Sequence, residues 1–137
     1  MALCTWSDKF SVKNDRMDGH HRRLVSLMET LDEAIAARKG DRIVAPAIEE
    51  LARYAAEHLK AEEALMEEMR YPDLERHRAM HHFFAKEIAL LRSAYASGEV
   101  PRAKSIVQLL RDWFVYHIYN EDQKYGDILE GVRVRAA

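Results

Sequence analysis

Histidine and acidic side chains recur along the chain at a spacing that suits metal binding. His58 and Glu62 are four residues apart, as are His77 and His81. On an α-helix, residues with this spacing share one face, about 5–6 Å apart at Cβ, so each pair could contact one ion. Residues 71–73 (Tyr-Pro-Asp) interrupt the helical pattern between the two pairs. This break predicts two antiparallel helices that bring both pairs to the same level of a bundle.

Four amphipathic helices are needed to position these side chains. Apolar residues step by three and four over residues 18–38, from the low forties to 69, over 73–96, and from 101 into the 120s. Asp18 is a suitable N-cap for the first helix, and residues 39–41 and 97–98 suit the turns. The sequence therefore predicts an all-α fold, an antiparallel up-down-up-down four-helix bundle with an N-terminal arm.

The length of 137 residues favours one domain, residues 1–137, with an arm at 1–16 and the bundle at 17–130. The arm contains three large apolar residues, Trp6, Phe10 and Val12, so we expect it to pack along the bundle. The third predicted helix, residues 73–96, has an apolar heptad seam that runs through Leu74, Leu91 and Tyr95. The tail after residue 130 carries no clear pattern.

Five histidines and one glutamate occupy core positions on the four helices: His21, His58, Glu62, His77, His81 and His117. A single buried histidine usually just finds a hydrogen bond. So many unpaired polar groups would cost more than the whole stability of a small domain, about 5–15 kcal/mol. A bound metal removes this cost. His20 and His82 fall off the seams and are predicted to be surface residues, and Glu63, Glu67 and Glu68 are predicted to be solvated.

Asp122 is a further candidate ligand, although it follows His117 by five residues instead of four. Five residues correspond to about 140° around a regular α-helix, which would place the two side chains on different faces. If both bind one site, the helix must end, bend or carry a π-bulge there, a feature often found at functional sites.

The donor set points to iron. Five imidazoles and two carboxylates exceed the four ligands of a zinc ion, and calcium requires more oxygen. Imidazole with carboxylate suits iron. Two six-coordinate ions that share both carboxylates and an oxide or hydroxide bridge would keep one open position, where a diatomic molecule could bind.

Composition excludes several other classes of function. With 21 basic and 23 acidic residues the formal net charge is −2, so neither nucleic acid nor an anionic membrane is an expected partner. No apolar run is long enough to span a bilayer, and no secretory signal is evident. The single cysteine, Cys4, cannot form an internal disulfide, which favours a cytoplasmic location.

Taken in order, these motifs resemble the hemerythrin family, and within it the single-domain bacteriohemerythrins. The similarity spans nearly the whole chain. The residues that carry it are Asp18-Gly19-His20-His21 with Leu24; His58 through Glu62-Glu63 to Met66; Tyr71-Pro72 with His77, His81 and Phe84; Trp113, His117-Ile118, Asp122 and Tyr125; and Trp6 in the arm. Two positions depart from the family pattern: His20 stands where glutamine is common, and Leu59 where phenylalanine is common.

The resemblance implies a non-haem di-iron cofactor, two iron ions with an oxo or hydroxo bridge. Three histidines would hold the iron whose coordination is complete: His77, His81 and His117. Two would hold the iron with the open position: His21 and His58. Two carboxylates would bridge the ions: Glu62 and Asp122. An apolar wall would keep water out of the oxygen pocket: Leu24, Leu59, Trp113, Phe114 and Ile118.

The implied function is reversible dioxygen binding for transport, storage or delivery, by a monomer that is not an enzyme and that could supply an oxygen-consuming partner protein. Two alternatives stay open. A di-iron oxidase or peroxidase in a bundle typically uses paired Glu-x-x-His motifs and several carboxylates, whereas this set is rich in imidazole and lacks the second motif. A module that senses oxygen or redox state, or that handles iron, is expected to act through a separate protein.

Overall fold

The computed structural model describes residues 5–136, and within them the chain forms four long helices joined by short turns. Helix α1 is Asp15–Ala36 and α3 is Leu74–Ala96. Helix α2 consists of Gly40–Tyr54, a π-helical segment at Ala55–Leu59, and Lys60–Glu68. Helix α4 consists of Ala103–Asp112, a π-helical segment at Trp113–Asp122, and Gln123–Ala136. The predicted fold class, an antiparallel four-helix bundle with an arm, is confirmed. Cys4 lies outside the described residues.

The buried apolar side chains form two clusters, and on α1 and α4 a polar site residue lies between them in sequence. On α1, His21 falls between Met17 of the smaller cluster and Leu24 of the larger one. On α4, Asp122 falls likewise between Ile118 and Tyr125. A layer of polar side chains therefore crosses the bundle where a continuous apolar core would otherwise run.

The first helix begins earlier than the sequence predicts. Asn14 is the N-cap, and its side chain accepts a hydrogen bond from the Met17 amide at 3.1 Å. The predicted cap, Asp18, is instead a buried residue of the first turn. Its carboxylate accepts hydrogen bonds from the Ser11 hydroxyl at 2.6 Å and the Val12 amide at 2.8 Å. Asp18 therefore anchors the arm to α1.

The arm also packs closely against α4. A Cβ atom built on Gly126 would lie 2.9 Å from the Val12 Cα, so only glycine allows the arm backbone to pass at this distance. The Gln123 side-chain amide donates to the Ser11 carbonyl at 3.1 Å. Phe10 is buried edge-on against Phe114, with ring centroids 4.8 Å apart. Trp6 also packs against the larger apolar cluster, so the arm is part of the packed structure, as predicted.

Several helix ends differ from the sequence prediction. Arg38, not Gly40, adopts the left-handed conformation after α1, with φ of 58°, and Gly40 instead opens α2. Helix α4 begins two residues after Pro101 and continues through the tail beyond residue 130. Tyr95 was predicted to lie on the core seam of α3, but it is in the last turn and 40% exposed. The glycine and proline residues in the sequence indicated where each turn lies, but not the residue at which each helix ends or begins.

Candidate metal centre

All seven predicted ligand residues come together in the interior of the bundle. Each is at most 4% exposed. Among the described residues, their ligand atoms form two groups in which every atom lies within 4.8 Å of the others. The first group, called the three-histidine group, consists of His77, His81 and His117 with Glu62 and Asp122. The second, called the two-histidine group, consists of His21 and His58 with the same two carboxylates. The two groups share both carboxylates.

One oxygen of each carboxylate faces the three-histidine group. Glu62 Oε1 lies 3.0 Å from His77 Nε2 and 2.8 Å from His81 Nε2. Asp122 Oδ1 lies 2.9 Å from His77 Nε2 and 3.1 Å from His117 Nε2. Three imidazole nitrogens and two carboxylate oxygens therefore point at one small volume.

The second oxygen of each carboxylate faces the two-histidine group. Glu62 Oε2 lies 3.3 Å from His58 Nε2 and 3.6 Å from His21 Nε2. Asp122 Oδ2 lies 3.3 Å from His21 Nε2. The Nε2 atoms of His21 and His58 are 3.2 Å apart. Each carboxylate thus presents one oxygen to each group, which is the arrangement that a pair of bridged cations requires.

The π-helical segment of α4 explains how His117 and Asp122 reach the same site. The segment Trp113–Asp122 has wider turns than an α-helix, so residues five apart lie on one face. The predicted irregularity between these two residues is confirmed as a π-helix. A second π-helical segment, Ala55–Leu59, contains His58. Nothing in the sequence indicated it, because His58 and Glu62 already have the spacing of a regular helix.

Three further side chains support the predicted ligands from outside. The Tyr125 hydroxyl donates to Glu62 Oε2 at 2.7 Å. Glu63 Oε2 lies 2.9 Å from His81 Nδ1, so the prediction that Glu63 is merely solvated is wrong. His20 Nδ1 lies 2.8 Å from His58 Nδ1, so His20 is not a free surface residue either. The spacing of apolar residues did not identify His20 and Glu63 because both lie off the core-facing side of their helices. Their side chains nevertheless extend to the outward-facing Nδ1 atoms of His58 and His81.

The remaining predictions for off-seam residues hold. His82 is exposed, as are Glu67 and Glu68. Arg78 Nε donates to Glu63 Oε1 at 3.3 Å. This ion pair fixes the carboxylate that faces His81.

Comparisons with known proteins find relatives that match most of the chain. The sequence model of the Hemerythrin HHE cation binding domain matches residues 12–129. The chain belongs to the hemerythrin family. Bacteriohemerythrin of Stenotrophomonas maltophilia (strain R551-3) is 32% identical over 127 residues, which cover 93% of this chain and 82% of that protein. Hemerythrin-like protein of Naegleria gruberi is 28% identical over 124 residues, with coverage of 90% and 92%. A crystal structure of a hemerythrin point mutant matches with a TM-score of 0.82 and 28% identity, covering 93% of this chain and 97% of that one.

The carboxylates of this hemerythrin centre change the pKa values of its histidines. Burial lowers the pKa of His21 and His77, but the adjacent carboxylates of Asp122 and Glu62 outweigh it and raise both pKa values to about 9. At His58 burial dominates and the pKa is lowered. Burial favours the neutral form of Glu62 and Asp122, yet the surrounding histidines lower the pKa of both carboxyls. Both carboxylates are therefore ionised at neutral pH.

Several buried polar atoms of the centre have no hydrogen-bond partner within the described part of the chain, which is consistent with a site that binds metal ions. Both oxygens of Asp122, both ring nitrogens of His117 and Nδ1 of His21 are buried without a hydrogen-bond partner. Buried polar groups in this condition cost free energy, and a cation that accepts the imidazole and carboxylate lone pairs removes the cost. Neutral imidazole combined with carboxylate is a donor set suited to iron.

Apolar side chains surround the polar layer on one side. The five residues predicted for the oxygen pocket are all buried and belong to the larger apolar cluster: Leu24, Leu59, Trp113, Phe114 and Ile118. Trp113 stacks on His117, with centroids 3.8 Å apart and an interplanar angle of 10°. Phe84 stacks on the other side of Trp113 at 3.9 Å. Trp113 therefore lies beside the three-histidine group.

No helix in the part of the chain that the structure describes is long and apolar enough to cross a membrane.

Proposed function

We propose that the chain binds dioxygen reversibly at a non-haem di-iron centre. The observation that carries the proposal is the sharing of Glu62 and Asp122 between two groups of buried histidines, with one oxygen of each carboxylate directed to each group. This arrangement suits two cations held side by side. When bound, the iron pair supplies the electrons and the open coordination position for reversible dioxygen binding.

The two groups of histidines have different tasks in this proposal. His77, His81 and His117 would hold one iron, and His21 and His58 the other. Since the second group has one imidazole fewer, room for an external ligand is expected on its side. Glu62 and Asp122 would bridge the two ions and supply the negative charge that ferrous ions require.

The apolar wall is proposed to protect the bound oxygen. Leu24 follows His21 by three residues on α1, and Ile118 directly follows His117 on α4, so both border the polar layer. Both side chains are at most 1% exposed. Buried aliphatic groups at these positions would exclude water and protons from the oxygen-binding side of the site.

We propose a carrier rather than an enzyme because the ligand set is mostly neutral. Among the described residues, only two carboxylates point into the two groups, whereas oxidative di-iron chemistry draws on several anionic ligands. We place this carrier in the cytoplasm, as a monomer that could supply dioxygen to an oxygen-consuming protein.

Metal analysis followed by an optical titration tests the proposal. Protein loaded anaerobically with ferrous iron is expected to hold two irons per chain, to gain a visible absorption band in air, and to lose it when oxygen is removed. His82→Ala is the matched control and should behave as the wild type. One iron per chain, or preferential retention of zinc, would contradict the di-iron centre. Continuous oxygen consumption in the presence of a reductant would contradict the carrier function.

A further inference from the structure

His58 uses its two ring nitrogens in different directions. Its Nε2 atom points into the polar layer, 3.2 Å from His21 Nε2 and 3.3 Å from Glu62 Oε2. Its Nδ1 atom points outward and lies 2.8 Å from Nδ1 of His20. The His20 and His58 rings meet edge to face, with centroids 5.0 Å apart and an interplanar angle of 83°.

This contact requires a definite arrangement of protons. Neutral imidazole has one protonated and one unprotonated nitrogen, and two ring nitrogens at hydrogen-bond distance need one proton between them. If Nε2 of His58 binds metal, the proton of His58 is on Nδ1. His20 Nδ1 must then be the acceptor, which places the proton of His20 on its own Nε2.

Packing alone does not select this arrangement. Tyr54 stacks on the His58 ring at 4.9 Å with an interplanar angle of 17°. A stacked ring holds the plane of the imidazole, but the Tyr54 hydroxyl has no hydrogen-bond partner among the described residues and so does not distinguish one tautomer of His58 from the other. The hydrogen bond to His20 is what distinguishes them.

We propose that His20 is a positioning residue that accepts the Nδ1–H of His58 and thereby fixes the tautomer and ring orientation in which His58 Nε2 faces the metal. The inference rests on the proposed di-iron function and deepens it. Partners of this kind outside the ligand set typically change metal affinity by about 10- to 100-fold.

The three-histidine group offers an internal comparison. His81 turns its outer nitrogen, Nδ1, to Glu63 Oε2 at 2.9 Å, as His58 turns its outer nitrogen to His20. The acceptor is an acidic side chain in one case and an imidazole in the other. Removal of His20 should therefore weaken one of two bound ions, and removal of Glu63 should weaken the other.

The test uses Co²⁺ as the probe, with its affinity measured by competition titration against a chelator. His20→Leu removes the acceptor, whereas His20→Gln keeps one because the amide oxygen can accept the same hydrogen bond. His20→Leu is expected to weaken one of two Co²⁺ ions by about 10- to 100-fold, and His20→Gln to restore most of that loss. Glu63→Leu should weaken the other ion, so that the double variant weakens both. His82→Leu is the control and should change neither.

A second measurement does not depend on metal. Nitrogen-15 NMR of the imidazoles in the metal-free protein reports which ring nitrogen carries the proton. The wild type and His20→Gln should show His58 protonated on Nδ1, and His20→Leu should show a mixture of tautomers.

The inference is overturned if wild-type His58 is protonated on Nε2, or if His20→Leu binds both Co²⁺ ions as tightly as the wild type. It is also overturned if His20→Gln is as weak as His20→Leu, which would indicate a purely structural role for the imidazole. Failure of the wild type to take up a second ion would contradict the proposed function instead, and the NMR result would still decide the role of His20.

Discussion

Tyr125 donates a 2.7 Å hydrogen bond to Oε2 of Glu62, the carboxylate oxygen that faces His21 and His58. The phenol is fully buried, and it follows Asp122 by three residues on α4. Burial raises the pKa of Tyr125 well above its ordinary value, so the hydroxyl keeps its proton and remains a donor. One turn of α4 thus supplies a shared carboxylate and the group that orients the other.

Tyr125→Phe should destabilise the metal-free protein. The change removes the hydroxyl with little change in shape and leaves a buried carboxylate oxygen without its donor, at a cost of about 1.5–3 kcal/mol. Urea unfolding of the metal-free protein measures the difference. Tyr116→Phe is the matched control, because Tyr116 is 69% exposed and should tolerate the change. Equal midpoints for the two variants would show that the bond to Glu62 contributes nothing net.

Periodicity was enough to locate the helices and the ligand positions, since an apolar seam interrupted by histidine shows in the sequence itself. The step of five from His117 to Asp122 even indicated a departure from regular helix. Periodicity could not choose between Asn14 and Asp18 as the cap of α1. Both are good capping residues four positions apart, and the choice depends on the arm, which uses Asp18 for its own hydrogen bonds.

Contacts between distant parts of the chain were the main omission. His20 and Glu63 lie beside the seams, so spacing alone assigned them to the surface, yet each reaches a ligand ring on another helix. Gly126 gave no local signal at all, because its constraint comes from the backbone of Val12 at the other end of the sequence. A pattern within one helix carries no information about such partners.

Substitution at two helical glycines should have opposite effects. Gly126→Ala places a methyl group 2.9 Å from the Val12 Cα, so the arm must move and the protein should lose stability. Gly19→Ala meets nothing within 4 Å and should gain about 0.5–1 kcal/mol from helix propensity. Thermal unfolding of the two variants measures the difference. Similar shifts in the same direction would show that the arm does not constrain Gly126.

Removal of one predicted ligand should lower both the iron content and the stability of the protein. His77→Ala removes the histidine whose Nε2 lies within 3.0 Å of both Glu62 and Asp122. Breaking a buried charged network in this way typically costs about 3–5 kcal/mol. His82→Ala, on the exposed face of the same helix, should do neither. Iron content and unfolding temperature are the measurements, and loss of iron from His82→Ala alone would mean that the register of α3 is wrong.

The stability of the metal-free protein should fall as the pH rises from 6.5 to about 9. His21 and His77 have pKa values near 9 in the folded protein and 6.5 as the ordinary value, so the folded state holds more protons in this window. Their contribution is complete below pH 6.5 and is lost as pH rises through 9. The lowered pKa values of His20 and His58 act only below 6.5 and do not offset this trend.

Urea unfolding at several pH values measures this slope. Metal loading should release protons near pH 7, because His21 and His77 must lose them to bind an ion. A metal-free protein whose stability rises between pH 6.5 and 9 would contradict the raised pKa values. His82→Ala should leave the slope unchanged.

A polar group in the apolar wall should shorten the lifetime of the oxygenated protein. Ile118→Thr replaces the ethyl branch of the side chain by a hydroxyl next to His117, where it can hold water or a proton close to the bound oxygen. Ile106→Thr makes the same change at an equally buried site on α4, twelve residues and therefore about 18 Å away along the helix. Both variants lose stability, but only Ile118→Thr should lose the visible band faster while the iron is retained. Absorption decay in air, with iron analysis before and after, measures this. If the two variants decay at the same rate, general loosening of the bundle and not local wetting controls the loss of oxygen.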